Sequence, residues 1–181
     1  MTPPRTIRNI ALIGFMGSGK SSVGHLVAAR LGFAFVDTDH LIEARAGSRI
    51  AEIFERHGEA WFRALERQVV DELEQRDRCV IATGGGVGAN PELLASLKRH
   101  ALVVCLWMSP DKLWQRVRRQ THRPLLQVPD PPARIRELLA QRQPVYRQAD
   151  VLLNADNRRL PQMAAQVIKQ FRLVARDSLA P

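Results

Sequence analysis

A run of glycines and hydroxyl residues near position 20 has the residue types and spacing of a phosphate-binding loop. Gly14-Phe-Met-Gly-Ser-Gly19-Lys20-Ser21 matches the Walker A pattern of glycine, any four residues, glycine, lysine, and serine or threonine. Glycines let the backbone turn so that several N–H groups converge on an anion that a side chain would obstruct. The predicted ATP-binding residues of this loop are Gly17, Ser18, Gly19, Lys20, Ser21 and Ser22.

Two side chains of this loop can act directly on a nucleoside triphosphate. The helix predicted to begin near Lys20 points its positive end at the phosphates. Lys20 can reach the β- and γ-phosphates, which makes it a predicted catalytic residue, and the Ser21 hydroxyl is a predicted Mg²⁺ ligand. The loop alone would serve a GTPase, an ATPase or a kinase equally.

The sequence lacks the marks of two other classes of phosphate-loop protein. It contains neither the Asn-Lys-x-Asp segment of a guanine-specific GTPase nor the Leu-Ser-Gly-Gly-Gln segment of a transporter ATPase. A Walker B strand normally ends in an acid that helps to hold magnesium. The apolar runs at residues 78–82 and 102–107 do not end in one.

Carboxylates stand instead at Asp37 and Asp39, after the second apolar run. Side chains two residues apart in an extended chain point the same way, so both acids can face the nucleotide. One could serve the metal, and the other could orient or deprotonate a substrate alcohol that attacks the γ-phosphate. The alternative for Asp39 is a helix N-cap, which aspartate also favours. With a phosphate loop upstream, we predict that Asp39 is catalytic.

Gly84, Gly85 and Gly86 follow a third apolar run. They could form nothing more than a turn. Their predicted place at the carboxyl end of a parallel sheet, beside the phosphate loop, suggests that their backbone N–H groups are left open for an anion or a substrate.

The elements that position these residues are predicted to form one α/β domain over residues 1–181. Short apolar runs alternate with longer amphipathic ones, which indicates a three-layer fold with a parallel sheet of five strands covered by helices on both faces. We predict strands at residues 9–13, 34–37, 78–82, 102–107 and 151–154. Helices are predicted at residues 20–31, 41–46, 50–57, 60–75, 91–100, 110–119, 133–148 and 161–174. Residues 120–132 contain four prolines and are predicted to be irregular and mobile or functional.

Composition limits the partners that we expect. The formal net charge is +9, but the basic residues are scattered and aromatic residues make up only 6% of the chain, so we predict no nucleic-acid partner. No segment is long enough to span a membrane, and Cys79 and Cys105 lie in apolar runs as buried, reduced thiols would. We therefore expect a cytoplasmic protein, and a monomer because no helix shows a surplus apolar face.

Six segments, in order and at matching spacing, resemble shikimate kinases over about residues 7–171. They are the phosphate loop, Asp37-Thr-Asp39, Phe62-Arg63, Gly84-Gly-Gly86, Arg123-Pro-Leu-Leu126 and Arg142-Gln-Pro-Val-Tyr146. The resemblance implies a phosphate-loop NTPase fold with a mobile lid at about residues 120–132 and a substrate-binding helical region at about residues 38–65. It also implies ATP-dependent phosphorylation of the 3-hydroxyl of shikimate, with Mg²⁺, in aromatic amino-acid biosynthesis.

The same resemblance implies roles for individual residues. Arg63 and Arg142 would bind the substrate carboxylate through guanidinium forks, while Asp39 and the turn at residues 84–86 would hold the hydroxyls. Asp37 would serve Mg²⁺ through bound water. Arg123 would bring the lid to the phosphates as a catalytic, ATP-binding residue. Arg116 and Pro161 would lie on opposite sides of the adenine. From residue type alone, Arg63 could instead lie on a solvated helix face.

Two alternatives stay open from the sequence. A kinase of the same fold could act on gluconate or a nucleotide, although neither would explain Asp39, Arg63, the three glycines and Arg142 together. A basic ATP-binding module that contacts RNA without catalysis would instead show salt-sensitive RNA affinity.

Overall fold

The computed structural model describes residues 5–119 and 124–177, and five of its segments pair into one parallel sheet. The strands are β1 Asn9–Ile13, β2 Ala34–Asp37, β3 Cys79–Ala82, β4 Ala101–Trp107 and β5 Val151–Asn154. They lie in the order β2-β3-β1-β4-β5, with every neighbouring pair parallel. The predicted five-stranded parallel sheet is confirmed, although β3 begins one residue later and β4 one residue earlier than predicted.

Helices cover the sheet and connect its strands. They are α1 Lys20–Leu31, α2 Thr38–Ala46, α3 Ile50–Glu72, α4 Pro91–His100, α5 Pro110–Val117, α6 Pro131–Tyr146 and α7 Leu160–Asp177. Short 3₁₀ turns occupy Leu73–Gln75, Val87–Ala89 and Pro124–Leu126. Among the described residues, no helix is both long and apolar enough to cross a membrane.

Capping moves two helix starts earlier than predicted. The Asp37 carboxylate accepts a hydrogen bond from the Asp39 N–H, so α2 begins directly after β2 rather than at residue 41. Asp130 caps α6 in the same way through the Ala133 N–H, and the prolines that follow are tolerated in the first helical turn. Residues 124–132 are therefore less irregular than predicted, since they contain a 3₁₀ turn and the start of α6.

The two helices predicted at residues 50–57 and 60–75 form one element with a break. Gly58 has φ 78° and ψ 176° within α3, a backbone conformation that a residue with a side chain rarely adopts. The break lies between Ile53 in the first segment and Phe62 in the longer second segment, and both of these side chains pack against α2. A second, smaller hydrophobic cluster forms where α2 meets α3; it contains Ile42, Ile53, Phe62, Leu65 and Val69.

The register of the sheet brings three chain segments to one edge. Leu12 of β1 lies opposite Ala82 of β3, and Ala82 lies opposite Asp37 of β2. These strands are parallel and end at the same level, so the segments that follow them begin side by side: the phosphate loop, the start of α2 and the glycine turn. Both cysteines are buried and free, as predicted, and Cys105 lies in β4 beside β1.

Candidate active site

The loop between β1 and α1 has the backbone conformation that its glycines predict. Gly14, Gly17 and Gly19 all have positive φ angles, of 138°, 79° and 97°. A Cβ on Gly14 would also lie 2.7 Å from the Leu106 carbonyl oxygen, because the loop passes close to the end of β4. Glycine is therefore needed there for both its conformation and its size. The loop ends at the start of α1, where helix N–H groups are free to face an anion.

Lys20 holds a positive charge across this loop. Its Nζ donates to the carbonyl oxygens of Gly14 and Phe15 at 2.9 and 3.0 Å. Ser18 is buried at the centre of the loop, and its Oγ has no hydrogen-bond partner among the described residues. The loop thus presents an ammonium group, a buried hydroxyl and a helix N-terminus, and all three suit a phosphate group.

Asp37 and Ser21 bring two oxygen donors together beside the loop. The Ser21 hydroxyl donates to Asp37 Oδ2 at 3.1 Å, while Asp37 Oδ1 accepts the capping hydrogen bond from the Asp39 N–H. Within the described residues no cluster of three or more His, Cys, Asp or Glu side chains could hold a metal ion. A hydroxyl and one carboxylate fit Mg²⁺, which keeps several waters and takes most of its remaining ligands from substrate phosphates.

Asp39 lies in the first turn of α2 rather than at its N-cap, so the alternative that Asp39 caps the helix is wrong. Its side chain packs on the glycine turn, where a Cβ on Gly84 would lie 2.2 Å from Asp39 Oδ1. Burial raises the pKa of this carboxyl to about 6, and the negative charge of Asp37 adds to the rise while Lys20 opposes it. The carboxylate can therefore accept a proton near neutral pH.

The glycine turn corrects one expectation from the sequence. The Gly84 N–H is not open to a ligand, because it donates to the Thr38 Oγ at 2.8 Å in a buried hydrogen bond. What glycine provides at this position is room for the Asp39 carboxylate. Gly85 offers its carbonyl oxygen to Arg142 Nη1 at 3.0 Å. At Gly86, a Cβ would lie 2.2 Å from Arg63 Nη1.

Arg63 and Arg142 therefore lie beside neighbouring residues of the same turn. Arg142 comes from α6, and its guanidinium lies 5.2 Å from the centre of the Phe15 ring in the phosphate loop. Arg63 comes from α3 and is half-buried, so the alternative of a fully solvated helix face is wrong. The structure brings both arginines to the turn that holds Asp39.

Glu66 was missed in the sequence and is the buried partner of Arg63. Its carboxylate accepts from Arg63 Nη1 at 2.8 Å, and its side chain is only 1% exposed. The sequence contained a signal, because Glu66 occupies an apolar position of α3 together with Phe62, Leu65, Val69 and Val70. Trp61, although apolar, is 41% exposed and lies outside this buried face.

The remaining predicted nucleotide contacts are only partly described. Arg116 of α5 lies over the phosphate loop, where its Nη1 approaches the Gly17 carbonyl oxygen at 3.4 Å. Pro161 lies in the first turn of α7, and its carbonyl oxygen accepts from Arg30. Arg123 and the first part of the predicted lid lie outside the described residues. The proposed adenine and lid contacts thus remain predictions.

Comparison with known proteins gives one consistent family. A family model described as shikimate kinase matches residues 16–172. A shikimate kinase from Thermodesulfovibrio yellowstonii is 44% identical over 165 residues, which cover 91% of this chain and 95% of the relative. One from Burkholderia lata is 44% identical over 166 residues, covering 91% and 90%.

Solved structures agree with the sequence relatives. A shikimate kinase from Acinetobacter baumannii, in complex with shikimate, superposes with a TM-score of 0.84 at 38% identity and covers 97% of both chains. A gluconokinase from Sinorhizobium meliloti has a TM-score of 0.62 at 18% identity, which shows a shared fold alone.

The raised pKa of Asp39 has a consequence for stability. The folded protein binds a proton at Asp39 more tightly than the unfolded chain, whose ordinary pKa is 3.8. Ionised Asp39 therefore destabilises the fold at pH 7, and this cost disappears as the pH falls through 6 towards 4. We expect Asp39→Asn to raise the free energy of unfolding at pH 7 by about 1–2 kcal/mol, measured by urea denaturation.

The gain in the free energy of unfolding of Asp39→Asn should shrink as the measurement is repeated at lower pH. Glu55→Gln, which removes an exposed acid from α3, is the matched control and should change the stability by less than about 0.5 kcal/mol. A loss of stability in Asp39→Asn at pH 7 would contradict the placement of this carboxylate.

Proposed function

The chain belongs to the shikimate kinase family, and we propose that it transfers the γ-phosphoryl group of ATP to the 3-hydroxyl of shikimate. The products are shikimate 3-phosphate and ADP, in aromatic amino-acid biosynthesis. The observation that carries the proposal is the packing of Asp39, Arg63 and Arg142 against one glycine turn beside the phosphate loop. An acid for a hydroxyl and two guanidinium groups for a carboxylate match the functional groups of this acceptor.

The acceptor is oriented by charge at one end and by a hydrogen bond at the other. Arg63 and Arg142 bind the shikimate carboxylate, and charge-assisted hydrogen bonds to a guanidinium group are among the strongest that a protein makes. Asp39 then accepts a hydrogen bond from the hydroxyl that reacts. Holding both ends in place converts the collision of two substrates into a reaction between aligned groups.

Asp39 acts as the base in the transfer itself. As the substrate hydroxyl oxygen bonds to the γ-phosphorus, the bond from that phosphorus to the β-phosphate oxygen breaks and ADP leaves. The hydroxyl proton passes to an Asp39 carboxylate oxygen. A pKa of about 6 suits this role, since the group is ionised at neutral pH yet basic enough to take the proton.

Lys20 and the loop backbone hold the phosphates and neutralise the charge that develops on them. Mg²⁺ bound with ATP would be held by the Ser21 hydroxyl and, through water, by Asp37, and would supply further neutralisation of the phosphate oxygens. The loop contacts with ATP extend over Gly17, Ser18, Gly19, Lys20, Ser21 and Ser22. Arg116 and Pro161 enclose the adenine, and Arg123 on the lid contacts the phosphates.

Closure of the lid that residues 120–132 form would exclude water and limit wasteful hydrolysis of ATP. A monomeric state, a cytoplasmic location and the lack of a nucleic-acid partner belong to the same proposal and rest on the sequence.

The direct test is ADP production with a panel of acceptors. We expect ADP release in the presence of shikimate and ATP with Mg²⁺. Quinate, gluconate and nucleoside monophosphates should give little or no turnover at the same concentration. Turnover with gluconate but not shikimate would assign a different acceptor to the same fold. The lack of any acceptor-dependent turnover would refute the kinase activity altogether.

Mutation of Arg63 can distinguish a role in binding shikimate from a role in binding ATP. We expect Arg63→Ala to lower kcat/KM for shikimate by about 10- to 150-fold, because one charged hydrogen-bonding group to the carboxylate is lost. The KM for ATP should change less than about threefold. Arg56→Ala, which removes an exposed arginine earlier on α3, is the matched control. Equal damage to both substrates in Arg63→Ala would mean that Arg63 is structural.

A further inference from the structure

The guanidinium group of Arg63 already holds two carboxylates in this structure. Its Nε and Nη2 both donate to Glu59 Oε1, at 3.3 and 3.1 Å, and its Nη1 donates to Glu66 Oε2 at 2.8 Å. A guanidinium group can bind a carboxylate bidentately along two edges, Nε with Nη2 or Nη1 with Nη2. Glu59 occupies the first edge and Glu66 contacts the second. A substrate carboxylate that binds Arg63 through its fork must therefore replace one of them.

The two glutamates differ in how easily they can be replaced. The Glu66 side chain is 1% exposed and lies against the glycine turn, where a Cβ on Gly86 would be 3.2 Å from its Oε1. Removing it from Arg63 would leave a buried carboxylate without its partner, which is costly. Glu59 is 69% exposed, so its carboxylate can exchange Arg63 for water. Glu59 is therefore the carboxylate that a substrate can displace from Arg63.

The backbone at Glu59 makes this exchange easier. Glu59 directly follows Gly58, where α3 is broken, and a Cβ at Gly58 would have no heavy atom within 4 Å. Glu59 thus begins the second segment of α3. A carboxylate at the start of a helix is stabilised by the helix N–H groups even after it has left Arg63.

We propose that Glu59 is a specificity-determining residue that occupies the place of the substrate carboxylate on Arg63 and is displaced by it. This inference rests on the proposed function, in which Arg63 binds that carboxylate. Glu59 keeps Arg63 paired and aligned when the acceptor is absent. It also lowers the attraction of Arg63 for other anions, because a competing anion must displace a tethered carboxylate. The cost of this arrangement is a weaker apparent affinity for shikimate itself.

Whether mutation of Glu59 lowers or raises the KM for shikimate shows if this residue competes with the substrate or supports its binding. We expect Glu59→Gln to lower the KM for shikimate by about two- to fivefold, the range set by an exposed ion pair. The value of kcat and the KM for ATP should stay within about 1.5-fold of those of the unmodified enzyme. Inhibition by benzoate, a simple carboxylate probe, should strengthen by a similar factor. Thermal unfolding of both proteins checks that the fold is unchanged.

Glu55→Gln is the matched control, because it removes the same charge from an exposed position one turn earlier on α3. It should leave the KM for shikimate and the benzoate inhibition constant unchanged, which excludes a general effect of net charge.

An unchanged or raised KM for shikimate in Glu59→Gln would overturn the inference, since a residue that supports Arg63 in the complex would raise it. That result, with normal turnover by the unmodified enzyme, would leave the proposed function intact. A lack of shikimate turnover by the unmodified enzyme would instead refute the proposed function and this inference with it.

Discussion

The candidate site depends on a turn that has no side chains. A Cβ on Gly84 would lie 2.2 Å from a carboxylate oxygen of Asp39. A Cβ on Gly86 would lie 2.2 Å from a guanidinium nitrogen of Arg63. Arg142 bonds the carbonyl oxygen between them. Charged groups from three different helices can approach one another only because this turn takes so little space. A side chain at Gly84 would displace the Asp39 carboxylate, and one at Gly86 would displace the Arg63 guanidinium.

The burial of Asp39 has an electrostatic cost, and the proposed role of this residue as a base explains why the cost is tolerated. Burial next to Asp37 raises the pKa of Asp39 to about 6, which means that its charged form is disfavoured in the folded protein. Lys20, bonded across the phosphate loop, offsets part of this cost. Groups held in such surroundings concentrate at active sites, where a basic carboxylate is useful and its destabilising effect is tolerated.

Much of this arrangement could be predicted from the sequence, because strongly patterned segments specify it. Five apolar runs predict the strands, and the order of strands in a parallel sheet then brings the phosphate loop, the acids and the glycines to one edge. The predictions failed where tertiary contacts decide the outcome. The periodicity of the sequence did not identify Glu66 as buried. It also did not predict the capping by Asp37 that starts α2 early, or the hydrogen bond that occupies the Gly84 N–H.

The pH dependence of kcat/KM for shikimate tests directly whether Asp39 is the base. Since the base must be ionised to accept a proton, kcat/KM should fall tenfold per pH unit below a midpoint near 6. Asp39→Asn should lower kcat by about 10²- to 10⁴-fold, and its residual activity should lose that acid limb. A profile that stays flat down to pH 5, or one that keeps the same limb in Asp39→Asn, would show that Asp39 is not the base.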